Sequence, residues 1–182
     1  MMENFLNNVQ QKFLLGLAQE AIQHYLTTGK TLQRKTKDPQ LLEKRGAFVT
    51  LKVSDQLRGC IGFPLPYKPL WETIRDAAIS AATQDYRFQT LTLEELPETK
   101  VEISVLTLPK PVKDVKEIEV GKHGIIVSKG PCKGLLLPQV PLECDWDLET
   151  YLSHGCLKAG LAEDEWKKGV DIEIFSAQVF SE

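Results

Sequence analysis

Between residues 47 and 61 the chain has one natural fold, a β-hairpin. Ala47, Val49, Leu51 and Val53 alternate with Phe48, Thr50 and Lys52, the two-residue period of a strand with one buried face. Ser54, Asp55 and Gln56 form turns readily, and residues 57–61 return with strand character. A helix would scatter the same apolar side chains around its axis. The fold therefore contains antiparallel sheet, and the other elements must cover its apolar face.

Helical spacing supplies that cover. Phe5, Leu6, Val9, Phe13, Leu14, Leu17, Ala21, Ile22, Tyr25 and Leu26 recur at the period of one helix, which Gly29 can end in a left-handed conformation. Leu70, Trp71, Ile74, Ala77, Ala78 and Ala81 mark a second helix, opened by Pro69 and ending near Asp85. Leu148, Tyr151, Leu152, Cys156 and Ala159 mark a third, stopped by Gly160 with Leu161 beyond it. Thr92 and Glu95 have capping-box spacing before a strand at Val101, Ile103 and Val105. Gly130-Pro131 joins two short apolar runs as a further hairpin, and Val170, Ile172 and Ile174 alternate as a last strand. These elements predict an α+β fold with a mostly antiparallel sheet and about three main helices, in a single domain over residues 1–182.

Charge and composition narrow the function classes. A net charge of −3 opposes a nucleic-acid surface spread over the whole domain. The basic residues Lys30, Arg34, Lys35, Lys37, Lys44 and Arg45 lie close together without interleaved aromatics, a pattern that fits a solvated loop better than its alternative, a phosphate-binding patch. Glu3, Gln10, Lys12 and Glu20 interrupt the first apolar stretch, so it has the form of neither a signal peptide nor a membrane span, and the chain reads as cytoplasmic. The four cysteines at 60, 132, 144 and 156 have no C-x-x-C spacing, and reduced thiols are expected. Cys132, Cys144, His154 and Cys156 are poorly spaced for zinc, since His154 and Cys156 fall on different sides of a helix, so no metal and no cofactor is expected. Dinucleotide, P-loop, nucleophile-elbow and zinc-deaminase motifs are missing from the sequence.

The segment with most chemistry is Leu57-Arg58-Gly59-Cys60-Ile61-Gly62. Strand alternation puts Arg58 and Cys60 on one face, where a guanidinium favours the thiolate, the form that attacks electrophiles. Gly59 and Gly62 leave room for a bulge, a ligand or another backbone. The bland alternative is a small buried cysteine in a crowded strand.

This segment resembles the motif of the AMMECR-one domain family, found in archaea and bacteria as AmmeMemoRadiSam system protein A. Blocks in family order extend the resemblance over nearly the whole chain: residues 47–51, Arg87-Phe88, residues 102–106, residues 134–140 and residues 157–161. The family commonly has Asp-Pro-Arg-Phe where this chain has Asp85-Tyr86-Arg87-Phe88. The resemblance implies two unequal subdomains around a groove, with the Arg-Gly-Cys motif near it. It implies association with Memo-like and radical SAM proteins, and no defined reaction.

Two functions compete on these residues. One is a binding or accessory module in which Arg58, Gly59, Cys60, Gly62, Arg87, Phe88, Gln139 and Lys158 line the groove and hold an anionic small molecule or modified side chain. The other is an enzyme with Cys60 as nucleophile or redox thiol, Arg58 lowering its pKa, and His123 or His154 as a distant base. Structural roles stand beside each residue: Arg87 as a cap of the second helix, Lys158 as a solvated residue near a helix C-terminus, Gln139 as a partner for backbone groups near Pro138.

Overall fold

The computed structural model describes residues 5–181; residues 1–4, which include the Glu3 invoked above, and residue 182 lie outside the described residues. In chain order the elements are α1 (Asn8–Thr28), α2 (Pro39–Leu42), β1 (Ala47–Val53), β2 (Gln56–Phe63), α3 (Leu70–Thr83), β3 (Thr99–Leu106), β4 (Lys110–Pro111), β5 (Gly124–Lys129), β6 (Cys132–Leu136), α4 (Val140–Glu143), α5 (Leu148–Lys158), β7 (Asp171–Phe175) and β8 (Ala177–Ser181). They form two antiparallel four-stranded sheets, with three substantial helices. The expected α+β class is therefore the observed one.

Asn7 starts α1. Its side chain accepts from the N–H groups of Val9 and Gln10, and the Gln10 side chain accepts from the Asn7 N–H at 2.9 Å, a reciprocal cap. Phe5 and Leu6, which fit the helical spacing, thus precede the helix. Gly29 ends it at φ 69°, as expected.

Two compact units divide the contacts: Met1–Thr107 with Gln178–Glu182, and Leu108–Ala177. In the first unit the strand order is β2-β1-β3-β8. Ser54 and Asp55 alone form the hairpin turn, both with positive φ (51° and 61°), so Gln56 pairs with Val53 instead of joining the turn. Ala47, Val49, Leu51, Val101, Ile103 and Val105 are fully buried on one sheet face, packed in one core with Leu14, Leu17 and Ile22 of α1 and Ile74, Ala77 and Ala78 of α3. The alternate residues Phe48, Thr50, Lys52, Glu102 and Ser104 are half-buried, and Lys52 pairs with Glu102 at 2.9 Å.

In the second unit the order is β4-β7-β5-β6, and Tyr151, Leu152 and Cys156 of α5 pack with Ile125, Val127 and Ile172 of the sheet. The end of α5 crosses β6 so closely that a Cβ on Gly134 would lie 2.4 Å from the Ala159 nitrogen. Two family-like blocks far apart in sequence are thereby joined. The short α2 and α4 and strands β4 and β8 carry no periodic signal of their own and were not expected from the sequence.

Candidate functional site

Strand β2 is an edge of its sheet, and the Arg58-Gly59-Cys60 segment is held from two sides. On the core side α3 ends against it: a Cβ on Gly59 would lie 2.2 Å from the Ala81 carbonyl oxygen. The room that the glycine leaves is taken by helix backbone. Gly62 has a similar role, since a Cβ there would lie 2.1 Å from the Phe48 ring.

Along the open edge a side-chain pair stands in for a further strand. Asp85 accepts the Cys60 N–H on Oδ2 at 2.8 Å. Arg87 donates to both oxygens of Asp85, from Nε at 2.9 Å and from Nη2 at 2.7 Å, and Nη2 also reaches the Cys60 carbonyl at 3.4 Å. The edge N–H and C=O of Cys60 are thus both satisfied, which protects an edge that would otherwise recruit another chain. Asp85 is buried, its side chain 2% exposed, whereas the Arg87 side chain is 44% exposed. Arg87 acts on this edge and not as a cap of α3.

Arg58 is directed elsewhere. Leu51 faces Gly59 and Lys52 faces Leu57, so Arg58 is the extra residue of a β-bulge, a feature that re-aims a side chain. Its Nε and Nη2 donate to the two Glu95 oxygens at 2.9 and 3.1 Å, and Nη1 donates to the Gln89 carbonyl at 2.8 Å. Glu95 also accepts the Thr92 N–H at 2.9 Å while Thr92 Oγ1 accepts the Glu95 N–H at 3.3 Å, the capping-box exchange read from the sequence. Cys60 is half-buried, and its sulfur accepts from the Thr50 hydroxyl at 3.3 Å. Regular alternation would pair Arg58 with Cys60; in the bulged strand Arg58 meets Glu95, and Arg87 is the guanidinium bonded at Cys60.

These contacts shift the acids. Hydrogen bonds from Arg87 hold the Asp85 carboxyl far below the usual carboxylate range against the opposing effect of burial. Those from Arg58, then from the Thr92 backbone, lower Glu95 to about 2. The Arg87 guanidinium is raised, chiefly by its bond to Asp85. Both carboxylates therefore stabilise the fold above their unfolded pKa, near 4, and that stabilisation is lost as pH falls toward 2. Urea midpoints measured between pH 5 and pH 2 should fall less steeply for Glu95→Gln than for the parent chain; parallel curves would deny the Arg58–Glu95 pair this role.

The remaining candidates are placed as follows. Phe88 is half-buried, its N–H donating to the Asp85 carbonyl at 3.0 Å, and the Arg87 guanidinium carbon lies 5.4 Å from its ring centre. Gln139 and Lys158 belong to the second unit, both exposed, Gln139 just before α4 and Lys158 as the last residue of α5. His123 accepts the Glu119 N–H on Nδ1 at 3.1 Å, and His154 stacks on Trp146 with ring centres 3.8 Å apart. Cys156 is buried, Cys144 exposed and Cys132 half-buried. Among the described residues no three His, Cys, Asp or Glu side chains gather as a metal site requires. Asp85 and Thr50, the groups that touch Cys60, were not singled out from the sequence, although Asp85 stands in the same block as Arg87.

Comparison with known proteins decides the family. The AMMECR1 family model matches residues 15–180. This chain belongs to the AMMECR1 family. A protein of Methanopyrus kandleri is 53% identical over 181 residues, covering 94% of this chain and 87% of that one. One from Methanocaldococcus jannaschii is 46% identical over 179 residues, covering 93% and 89%. The crystal structure of an uncharacterized protein from Pyrococcus horikoshii matches with a TM-score of 0.81 at 43% identity, over 97% of this chain and 93% of that one. The resemblance read from the sequence is borne out, and the names of these AMMECR1 relatives state no activity.

The turn at residues 85–88 carries the departure from the family pattern. It is closed by the Phe88 N–H on the Asp85 carbonyl, while Asp85 Oδ1 accepts the Arg87 N–H at 3.2 Å. Tyr86, where the resemblance read from the sequence implies proline, is 95% exposed. Tyr86→Pro should therefore raise stability by about 0.5–1 kcal/mol by restricting the unfolded chain. A lowered melting temperature would show that the backbone at Tyr86 does not suit proline.

Proposed function

We propose that this AMMECR1 protein is a binding or accessory module whose Cys60 edge receives an anionic group, from a small molecule or a modified side chain, on behalf of Memo-like and radical SAM partners. The observation that carries this reading is the state of Arg87. Asp85 holds it through Nε and Nη2, its side chain is nearly half exposed, and Nη1 has no hydrogen-bond partner among the described residues. A guanidinium fixed by a buried carboxylate and open on its outer side can donate to an oxyanion at little ordering cost. Arg58 bonds Glu95 and Gln89 through all three of its nitrogens and its side chain is only 18% exposed, so it shapes the strand and leaves anion contact to Arg87. Cys60, Phe88 and the exposed Tyr86 surround that contact.

Inorganic phosphate and O-phosphoserine serve as probes. Each should slow the alkylation of Cys60 by neutral iodoacetamide, and Arg87→Gln should abolish that protection relative to its own labelling rate without anion. Unprotected labelling would remove the reading. If Cys60 is unprotected and reacts far faster than Cys132 and Cys144, cysteine chemistry at this position replaces it.

A further inference from the structure

The first unit has a second concavity, lined by different residues, between α1 and the segment leading into β3. Gln19, Gln23 and Thr27 form one wall, and Leu93, Leu96 and Pro97 the other, around a volume of about 440 Å³. That volume lies within the range of ligand pockets, about 300–1,000 Å³. No charged side chain lines it. Leu93 is 46% exposed, and Leu96 packs at the margin of the core.

The polar wall has a repeat. Gln19, Gln23 and Thr27 are four residues apart, so they form one row along the helix, spaced by about 6 Å. The Thr27 hydroxyl is occupied, donating to the Gln23 carbonyl at 2.7 Å. The Gln19 and Gln23 amides have no hydrogen-bond partner among the described residues, and each offers a donor and an acceptor. Alternate residues of an extended peptide repeat at about 6.6–6.8 Å, close to the spacing of the two amides. A second depression of about 330 Å³ shares Gln23 and Thr27 but is lined also by Glu20 and His24, so the uncharged stretch is the first concavity alone.

The apolar wall is held in place. Leu93, Leu96 and Pro97 flank Glu95, which is fixed by Arg58 and by the Thr92 exchange. A wall ordered before binding lowers the entropy lost on association.

We infer that this trough binds an extended, uncharged peptide segment, with Gln19 and Gln23 bonding the backbone amides of alternate residues and Leu93, Leu96 and Pro97 covering its apolar side chains. The site is separate from the Cys60 edge and does not depend on the function proposed there.

The test uses the full chain and an equimolar mixture of capped pentapeptides with Ala, Val, Leu or Pro at the second and fourth positions. Side-chain amide resonances of Gln19 and Gln23 should both move saturably in ¹H–¹⁵N spectra. Gln19→Ala and Gln23→Ala should each weaken binding about five- to tenfold. N-acetyl-leucinamide, which can reach only one glutamine, should bind at least tenfold more weakly than the pentapeptides. The inference is overturned if no saturable shift appears at millimolar peptide, if both alanine variants bind like the parent chain, or if N-acetyl-leucinamide equals the pentapeptides. Gln23 is exposed, so its substitution leaves the fold unaffected.

Discussion

Gly59→Ala is expected to destabilise the first unit by about 3 kcal/mol, at the upper end of what one added methyl group does in a packed site. The new Cβ would stand 2.2 Å from the Ala81 carbonyl oxygen. Neither side can yield easily, because the oxygen belongs to helix backbone and the glycine to a paired strand. Gly62→Ala is the control. Its Cβ would meet the Phe48 ring, a side chain that can turn away, so a loss of about 1 kcal/mol is expected. Chemical denaturation of both variants checks the ranking, and equal losses would contradict the close approach of α3 to β2.

Asp85→Ala is expected to cost about 2–3 kcal/mol, most of it from the Cys60 N–H left without a partner. The loss of charge pairing adds less, since the exposed side of Arg87 is already hydrated. Asp85→Asn separates the two parts: its amide oxygen can still accept the Cys60 N–H, so about half of the loss should return. Hydrogen exchange at the Cys60 amide reads the same bond directly. That amide should lose protection in Asp85→Ala and keep most of it in Asp85→Asn; unchanged exchange in both would mean that the edge is satisfied some other way.

The parts of this fold legible in the sequence are those with a period. The β1–β2 hairpin, the three long helices and strands β3 and β7 repeat apolar residues at 2 or 3.6 positions, and burial of a common face enforces that repeat, whereas β5 and β6 were marked by short apolar runs on either side of a Gly-Pro turn. The two-residue β4 and the single turns α2 and α4 are too short to repeat anything, and β8 carries no clear alternation of its own. The site was legible in its residues and not in its pairings. Alternation holds only while the register is regular, and one extra residue at Arg58 redirects that side chain to Glu95. Glu95 was readable as half of a capping box, a local bond, whereas its bond to Arg58 spans 37 positions and depends on tertiary folding. Asp85 had no local signal beyond standing two residues before Arg87.

The central claim is that Arg87, and not Arg58, presents a guanidinium to an anion at the Cys60 edge. It is tested most directly by following the Nε–H resonances of both arginines in ¹⁵N-labelled protein during a titration with O-phosphoserine. The account predicts a saturable shift at Arg87, no comparable shift at Arg58, and loss of the response in Arg87→Gln. A response confined to Arg58, or none at either arginine, would contradict it.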